Sequence, residues 1–287
     1  MPPSDPPPGR QRPTTRRRWR DPLGLFGLVV CALIALVALT ADIISPQDPA
    51  RIAVAHRLEG PSAQHWLGTD HLGRDTASRI ITGTRTAMGV ALLSIGIAVV
   101  IGTVLGLLAG YGPRWLGTLL LLVLDTISSL PMIMFALAIL TLLGPGLWTL
   151  VGTIAFFTIP SYARLVRAQT MALSDSPFIQ AERSMGASFP RILFIHLLPN
   201  VIGPLLVVMT MDIPVVIGLE AGLSFLGIGI QPPTPSWGSM LNDGFVFIRN
   251  TPLLVIFAGL PIVIATLSFT FLGEALRERL DPAARRA

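Results

Sequence analysis

Long apolar runs alternate with shorter polar segments along the chain. Each run is close to the roughly 20 residues that an α-helix needs to cross the hydrocarbon layer of a bilayer. The pattern therefore predicts an all-α integral membrane protein with six transmembrane helices. These helices are expected at residues 23–44, 85–110, 116–142, 147–166, 198–222 and 252–273.

Polar segments make up the rest of the chain. Residues 1–22 are rich in proline and arginine and lack apolar periodicity, which is typical of a disordered tail near anionic headgroups. The first apolar run is longer than the core of a secretory signal and no strict Ala-x-Ala follows it, so we expect an uncleaved helix. The other expected units are a segment at 45–82, a five-helix core at 83–276 that includes loops at 172–196 and 223–250, and a tail at 277–287.

The distribution of arginine predicts the orientation in the membrane. All 21 basic residues are arginine, and 15 of them lie in the two tails, at residue 114 and in the 164–196 region. Loops rich in positive charge stay in the cytoplasm. We therefore expect a multi-pass protein of the bacterial plasma (inner) membrane with both termini in the cytoplasm and with the 45–82 and 223–250 segments outside.

Composition excludes several classes of protein. Hydrophobic residues make up 52% of the chain and charged residues only 13%, unlike an ordinary soluble domain. The absence of lysine excludes a Walker A phosphate loop, so this is not an ATP-binding subunit. The lone cysteine, Cys31, excludes an intrachain disulfide. The arginines flank spans and do not cover one soluble face with interleaved aromatic residues, so no nucleic acid is expected as a partner.

Two weak patterns do not predict chemistry. His65 and His71 lie near Asp70 and Asp75, but their spacing fits no standard ligand pattern, and no metal is expected. Ser188 would need burial at membrane depth with a histidine on a nearby span to act as a nucleophile. It lies in a predicted loop, where helix capping is its expected role. No catalytic residue is therefore expected.

A polar, arginine-bearing helix pair is predicted between the fourth and fifth spans. Ser176 can cap a helix that begins at Pro177, and Gly186 can end it. Ser188 with Pro190 offers the start of a second helix. The apolar side of the first helix carries Phe178, Ala181 and Met185. Arginines in both helices keep the pair out of lipid, so its apolar side is expected to receive a soluble protein.

Three stretches of sequence resemble a known family. Residues 180–186 (QAERSMG) with 196–200 (HLLPN) resemble the EAA loop of ABC-importer permeases, although the family's Glu-Ala-Ala is replaced here by Gln-Ala-Glu. Residues 65–75 (HWLGTDHLGRD) and 220–238, which include EAGLSFLG and QPPTPSWG, resemble the dipeptide/oligopeptide branch. The resemblance covers about residues 22–282 and fits the second of that branch's two permease subunits.

The resemblance implies a type I ABC-importer permease fold with a cytoplasmic coupling helix that docks into an ATPase subunit. It assigns this contact to Phe178, Gln180, Ala181, Glu182, Arg183, Met185, Gly186, Ala187 and Arg191. The implied partners are a second homologous permease, one or two cytoplasmic ABC ATPase subunits, an extracytoplasmic substrate-binding protein and membrane lipid. ATP and Mg²⁺ would be bound by the ATPase subunits, and this chain would bind no cofactor and would not be an enzyme.

The implied cargo is a di- or oligopeptide. Nickel, another metal chelate or haem is an alternative, because close relatives of the peptide branch share these motifs. A membrane scaffold without transport is a more distant alternative, since a scaffold has no use for a glycine-cornered polar helix pair between two spans.

Ionisable residues inside the predicted spans are candidates for the translocation path. Asp125 lies in the third span, and Asp212 and Glu220 lie in the fifth. Such groups are costly in a membrane unless they pair or face water, and no intramembrane cation is expected as their partner. For Asp125, a bond to helix backbone or to the Ser128 hydroxyl is the structural alternative. Ser224 is also expected on the path.

The outer segments are expected to meet the binding protein. Residues 222–243 are rich in glycine and proline, which predicts a helix end and a re-entrant loop. In the resembling family this region helps to form the outer mouth of the path. The expected contacts are Asp70, Arg74, Asp75 and Trp237.

Small residues and prolines mark the packing of the spans. Gly102, Gly106 and Gly110 lie four residues apart in the second span, a spacing that lets helices approach closely. We expect packing within the protomer here and not dimerisation. Kinks are expected at Pro131, Pro160, Pro199, Pro204, Pro214 and Pro261.

Overall fold

The computed structural model describes residues 22–280, and almost all regular structure there is helical. The α-helices are α1 Pro22–Ile44, α2 Thr76–Tyr111, α3 Arg114–Ser129, α4 Met132–Leu143, α5 Leu147–Ser174, α6 Pro177–Ser184, α7 Phe189–Arg191, α8 Leu198–Phe225, α9 Trp237–Val246 and α10 Leu253–Leu280. A 3₁₀ turn at Val54–His56 precedes α2, and a π-helical stretch at Ile192–Leu197 joins α7 to α8. The predicted N-terminal tail, and most of the C-terminal one, lie outside the described residues.

Five helical units between residues 22 and 280 are long and apolar enough to cross a membrane: α1, α2, α5, the unit Phe189–Phe225 and α10. Helices α3 and α4 meet the same test only as a pair, and they are bent by 86° at the break between them. The count is therefore five, or six if the bent pair is one span. The all-α membrane fold predicted from the sequence is confirmed.

The predicted span at 116–142 is not one continuous helix. Leu130 has extended backbone angles, φ −81° and ψ 133°, and α4 starts only after Pro131. A proline has no backbone N–H and disfavours helical geometry in the residue before it. The proline predicted to kink this span thus separates it into two helices.

Helix α2 begins well before the predicted residue 85. Asp75 caps it, since its Oδ2 accepts a hydrogen bond from the Ser78 N–H at 2.8 Å. Arg79 and Arg85 interrupt the apolar pattern of the first turns, but each lies beside acidic groups. The hydropathy pattern placed the start of this helix too late, because polar residues in its first turns are stabilised by partners that the pattern does not show.

Helices α2 and α5 pack closely through glycine. A Cβ atom at Gly102 would lie 2.7 Å from Tyr162 Cβ, and one at Gly110 would lie 2.8 Å from Thr170 Cβ. At Gly106 an added Cβ would lie 2.6 Å from Val166 Cβ. The three glycines therefore serve packing within the protomer, and this prediction is confirmed.

Helix α1 lies between α2 and α10. A Cβ at Gly27 would be 2.7 Å from the Ser268 carbonyl oxygen on α10, so no larger residue fits there. On its other side, Asp42 receives two hydrogen bonds of 2.7 and 2.8 Å from Arg85 Nη1 on α2. The first helix is thereby fixed to both the second and the last.

Candidate functional site

The predicted helix pair is present as α6 and α7, and we call residues 177–191 the coupling unit. Helix α6 begins at Pro177 and α7 follows Ser188, as predicted. Ser176 precedes α6, but its hydroxyl donates to the Leu173 carbonyl oxygen at 2.5 Å and does not cap α6. The proline at the first position therefore sets the start of α6 without a side-chain cap.

Gly186 forms the corner of the coupling unit. Its φ is +82°, in the left-handed region that favours glycine. The Ala187 N–H donates to the Glu182 carbonyl and the Gly186 N–H donates to the Arg183 carbonyl, both at 3.0 Å. These two bonds form a Schellman motif, which satisfies the last carbonyls of α6. The direction of the corner is thus fixed by backbone bonds.

The apolar side of α6 is exposed. Phe178 and Ala181 are accessible, and Met185 is 74% exposed. Ile179, on the opposite side, is completely buried and anchors the helix to the bundle. Gln180, Arg183 and Arg191 are also accessible, whereas Glu182 and Ala187 are half-buried. An exposed apolar stripe on a firmly seated helix is suited to contact with another protein.

Tyr111, the last residue of α2, lies between the two helices of the coupling unit. Arg183 Nε on α6 donates to the Tyr111 hydroxyl at 3.1 Å, and the guanidinium carbon lies 4.7 Å from the ring centroid. Phe189 on α7 packs on the same tyrosine, with ring centroids 5.1 Å apart. Tyr111 is not among the residues predicted from the sequence, although an aromatic residue at the end of a span was a usable signal.

The coupling unit also contacts the start of the next span. His196 Nε2 lies 3.6 Å from Glu182 Oε2, and its ring lies 6.3 Å from that of Phe178. His196 belongs to the π-helical stretch that leads into α8. The coupling unit is therefore connected to α2 on one side and to α8 on the other.

Asp125 has a cationic partner, which corrects the prediction that it has none. Arg164 Nη1 on α5 lies 3.2 Å from Asp125 Oδ1, and the same guanidinium donates to Ser128 Oγ at 3.0 Å. From the sequence, Arg164 was counted with the cytoplasmic arginines of the 164–196 region, at the end of the span expected at 147–166. In the structure α5 continues to Ser174, so Arg164 lies inside a span.

Two of the three predicted path residues on α8, Asp212 and Glu220, lie against hydroxyl groups of this chain. Asp212 is half-buried and lies against the Tyr162 hydroxyl of α5. Glu220 is fully buried, and its Oε1 accepts a hydrogen bond of 2.7 Å from Ser224 Oγ. Ser224 Oγ in turn accepts from the Ile230 N–H at 3.0 Å. Glu220 and Ser224 thus hold the turn after α8, and their place on the path stays a prediction.

The residues predicted to contact a binding protein are buried in this chain and offer little surface, so their contact with it stays a prediction. Asp70, Arg74 and Asp75 are each at most 4% exposed, and Trp237 is 1% exposed. Trp237 Nε1 donates to the Ile80 carbonyl at 3.1 Å. Asp75 Oδ1 lies 2.9 Å from His65 Nδ1. These side chains organise the outer segments from within.

Arg79 and Asp243, which were not predicted from the sequence, join Asp70 and Arg74 in an ionic group. We call these four residues the outer cluster. Arg74 Nε donates to Asp70 Oδ2 at 2.6 Å, and Arg74 Nη2 donates to Asp243 Oδ2 at 3.4 Å. Arg79 Nε lies 3.5 Å from Asp70 Oδ2. Burial raises the pKa of Asp243, while His71, Arg79 and Arg74 oppose that shift. The cluster ties the 45–75 segment to α2 and α9.

The outer cluster has the wrong chemistry for a metal. Ligand atoms of Asp70, His71 and Asp243 lie within 4.8 Å of one another. However, Arg74 and Arg79 contact the same two carboxylates and already balance their charge. Hard cations need carboxylate charge that is not already neutralised by arginine. The donor set fits an ion-pair network.

Comparison with known proteins identifies the family. Residues 102–286 match the family described as "Binding-protein-dependent transport system inner membrane component". The chain belongs to this family of transport permeases. Residues 14–61 match the "N-terminal TM domain of oligopeptide transport permease C". The permease is thus a multi-pass inner-membrane component and not itself catalytic, and its family binds no cofactor.

Curated relatives match the permease over nearly its whole length. It is 38% identical to the dipeptide transport system permease protein DppC of Alkalihalophilus pseudofirmus, over 98% of this chain and 94% of that protein. It is 42% identical to the glutathione transport system permease protein GsiD of Pectobacterium atrosepticum, over 89% and 85%. It is 39% identical to the di/tripeptide transport system permease protein DppC of Pseudomonas aeruginosa, over 92% and 89%.

Solved structures show the same fold at low sequence identity. An inward-facing structure of the MetNI methionine ABC transporter contains a chain that aligns with a TM-score of 0.58 at 19% identity, over 71% of the permease and 96% of that chain. A chain of an amino acid ABC transporter with histidines aligns with a TM-score of 0.51 at 17% identity, over 73% and 94%. The fold is therefore that of an ABC-importer permease.

Proposed function

We propose that this permease carries short peptides inward as one subunit of an ATP-driven importer. Its partners are a second homologous permease, one or two cytoplasmic ABC ATPase subunits and an extracytoplasmic binding protein. The names of its relatives support this cargo, since dipeptides, tripeptides and glutathione are all short peptides. ATP and Mg²⁺ belong to the ATPase subunits.

The exposed apolar stripe of α6 is the observation that carries this proposal. Phe178, Ala181 and Met185 are exposed in this chain, Phe178 at 44% and Met185 at 74%, yet Ile179 is buried and holds the helix from behind. Exposed apolar side chains on a polar helix mark a protein contact. The ATPase subunit is the partner whose surface covers this stripe, which makes α6 the coupling helix.

Motion of the ATPase reaches the spans through the neighbours of α6. Arg183 and Phe189 hold Tyr111 between them, so displacement of the coupling unit moves the end of α2. Helix α2 is packed closely on α5, and the two move together. On the other side, the contact of Glu182 with His196 transmits the same displacement to α8. Binding of the ATPase shifts the equilibrium between two arrangements of the spans only by its unequal affinity for them.

The distribution of arginine supports the orientation in this proposal. The coupling unit and both tails are the arginine-rich parts of the chain and face the cytoplasm, where ATP is available. The outer cluster and α9 then face the binding protein. Accessible residues near these buried groups, such as Trp66 at 63% exposure, provide the docking surface.

The test is the ATPase activity of the complete complex in lipid. The permease is purified with its second permease and ATPase subunits, and binding protein is added after loading with dialanine, glutathione, a nickel chelate or haem. Stimulation by dialanine or glutathione is expected. Stimulation by the nickel chelate or haem alone would overturn the peptide cargo, and no stimulation by any of them would overturn the importer function.

A further inference from the structure

A polar patch interrupts the apolar surface of the spans beside the break between α3 and α4. Its exposed members are Asp125, Ser128 and Ser129 on α3 and Ser161 and Arg164 on α5. The Arg164 guanidinium joins the two helices, since it lies 3.2 Å from Asp125 Oδ1 and 3.0 Å from Ser128 Oγ. We call this group the Asp125–Arg164 patch.

The patch lies far from the start of α3 and far from the end of α5. Asp125 is eleven residues from the start of α3, and Arg164 is ten residues from the end of α5, which corresponds to about 16 Å and about 15 Å of helix. Charged groups at such depth face protein or a water-filled cavity. The Asp125 side chain is 66% exposed and that of Arg164 is 42% exposed on this chain. They therefore face a space that this chain does not fill.

The broken helix is a second, independent sign of a water-filled space. The backbone leaves helical geometry at Leu130, and α3 and α4 diverge by 86°. Irregular backbone at membrane depth is tolerated where it is buried in protein or lines a cavity with water. Broken helices of this kind form binding sites for polar substrates in other transporters. Ser128 lies two residues before this break.

We propose that the Asp125–Arg164 patch binds the charged ends of a peptide zwitterion on its way through the membrane. This proposal rests on the proposed function as a peptide importer. The guanidinium fork of Arg164 receives the peptide carboxylate, and the carboxylate of Asp125 receives the peptide ammonium group. Ser128 adds a hydroxyl that donates to the peptide carboxylate or accepts from the peptide ammonium group.

The two charges pair with each other when no peptide is bound. Their contact is formed through one nitrogen and one oxygen, and both side chains are partly exposed. An exposed pair of this kind is weakly held. A peptide with both charges therefore separates the pair easily. Its carboxylate takes the place of Asp125 beside Arg164, and its ammonium group takes the place of Arg164 beside Asp125.

The first test measures access of water to the patch. A Cys31→Ala, Ser128→Cys permease is assembled into the complete complex in lipid nanodiscs and treated with a charged methanethiosulfonate reagent, with and without ATP. We expect modification of the introduced thiol in at least one condition, and we expect saturating dialanine to slow it. A thiol that is never modified, or one whose modification dialanine does not slow, would overturn the proposal.

The second test compares peptides that lack one charge. In proteoliposomes with saturated binding protein, Arg164→Gln is expected to lower dialanine uptake at least about tenfold, the loss that accompanies removal of a charge-assisted hydrogen bond. The penalty should largely disappear for dialaninamide, which has no carboxylate. Asp125→Asn is expected to show the matching pattern with N-acetyl-dialanine.

Asp42→Asn provides the matched control. Asp42, near the end of α1, pairs with Arg85 on α2, and these side chains are 75% and 42% exposed. Its uptake should equal that of the unmodified permease, and stimulation of the ATPase should persist in every variant. Equal penalties for dialanine and dialaninamide, or full uptake in an Asp125→Arg, Arg164→Asp exchange, would show a structural pair only. Failure of the unmodified complex to import any peptide would count against the proposed function, and the labelling test would still decide the patch.

Discussion

The outer cluster and the coupling unit are both predicted to meet a partner protein, but they are built in opposite ways. In the outer cluster, charged side chains are buried and paired within this chain. In the coupling unit, apolar side chains are left on the surface. Burial shows which contacts are complete in the single chain. The charged groups of the outer cluster are already paired in this chain, whereas the apolar side of the coupling unit is left exposed.

This difference separates residues that hold the fold from residues that perform a contact. Truncation in the outer cluster leaves a buried charge without a partner, which is among the most destabilising changes known. Truncation of a highly exposed residue in the coupling unit, such as Met185, removes little from this chain's own packing. Stability and transport should therefore respond to different sets of substitutions.

The largest effect is expected from Asp70→Ala. Its carboxylate accepts from Arg74 Nε and from the Leu72 and Arg74 N–H groups, and its loss leaves two buried arginines with one shared acid. We expect unfolding to cost about 3–5 kcal/mol less. Thermal unfolding of the purified permease in detergent measures this. Asp42→Ala, at an exposed pair, should cost at most about 1 kcal/mol, and equal losses for the two variants would contradict the comparison.

Gly186→Val is expected to affect transport more than stability. A β-branched residue at φ +82° strains the corner by about 1–2 kcal/mol, which redirects α7 relative to α6. The number of peptides imported per ATP hydrolysed should fall while ATPase activity continues. Gly186→Asn is the control, because asparagine tolerates left-handed geometry, and it should retain coupling. A fully coupled Gly186→Val complex, expressed at the same level, would show that the corner does not set the contact.

Tyr111 offers a smaller test of transmission. Tyr111→Ala removes the ring beneath Arg183, a contact of about 0.5–1 kcal/mol at exposed sites, and also the packing on Phe189. We expect a severalfold loss in peptides imported per ATP with ATPase binding retained. Tyr111→Phe keeps the ring and should stay close to the unmodified value. If both variants couple normally, transmission passes through the contact with His196 alone.

Met185→Ala should have the smallest effect on stability. Because Met185 is 74% exposed, its truncation should change the free energy of unfolding by no more than about 0.5 kcal/mol. It should nevertheless weaken association with the ATPase subunit, measured by co-purification across a range of detergent and salt. A large fall in thermal stability with unchanged ATPase association would reverse the assignment of this residue.

Local patterns in the sequence predicted local structure well. The positions of Pro177 and Gly186 gave the bounds of α6, since first-turn proline and glycine-corner preferences act over a few residues, whereas the cap expected from Ser176 is absent. Glycines spaced by four residues in α2 predicted close packing, because this spacing lets the backbone of a second helix approach closely. These features depend on neighbours in the chain.

Contacts between distant segments were not predictable in the same way. The pairing of Asp125 with Arg164 joins residues 39 positions apart, and no local pattern in either helix indicates which residue is the partner. Trp237 was expected on the surface because its loop is polar, but Gly83 leaves space for its indole on α2, with an added Cβ only 3.0 Å from Trp237 Cδ1. Tertiary packing determines both the ion pair and the burial of Trp237, and a single sequence does not reveal which distant segments pack together.

The seat of α1 on α10 has a consequence for biogenesis. Gly27 packs against the Ser268 carbonyl, so α1, which is synthesised before α10, completes this contact only once α10 is present. Until then α1 is held through α2, by pairs such as Asp42 with Arg85. Packing around α1 is therefore completed late in synthesis, and a chain cut short before α10 leaves the Gly27 face of α1 uncovered.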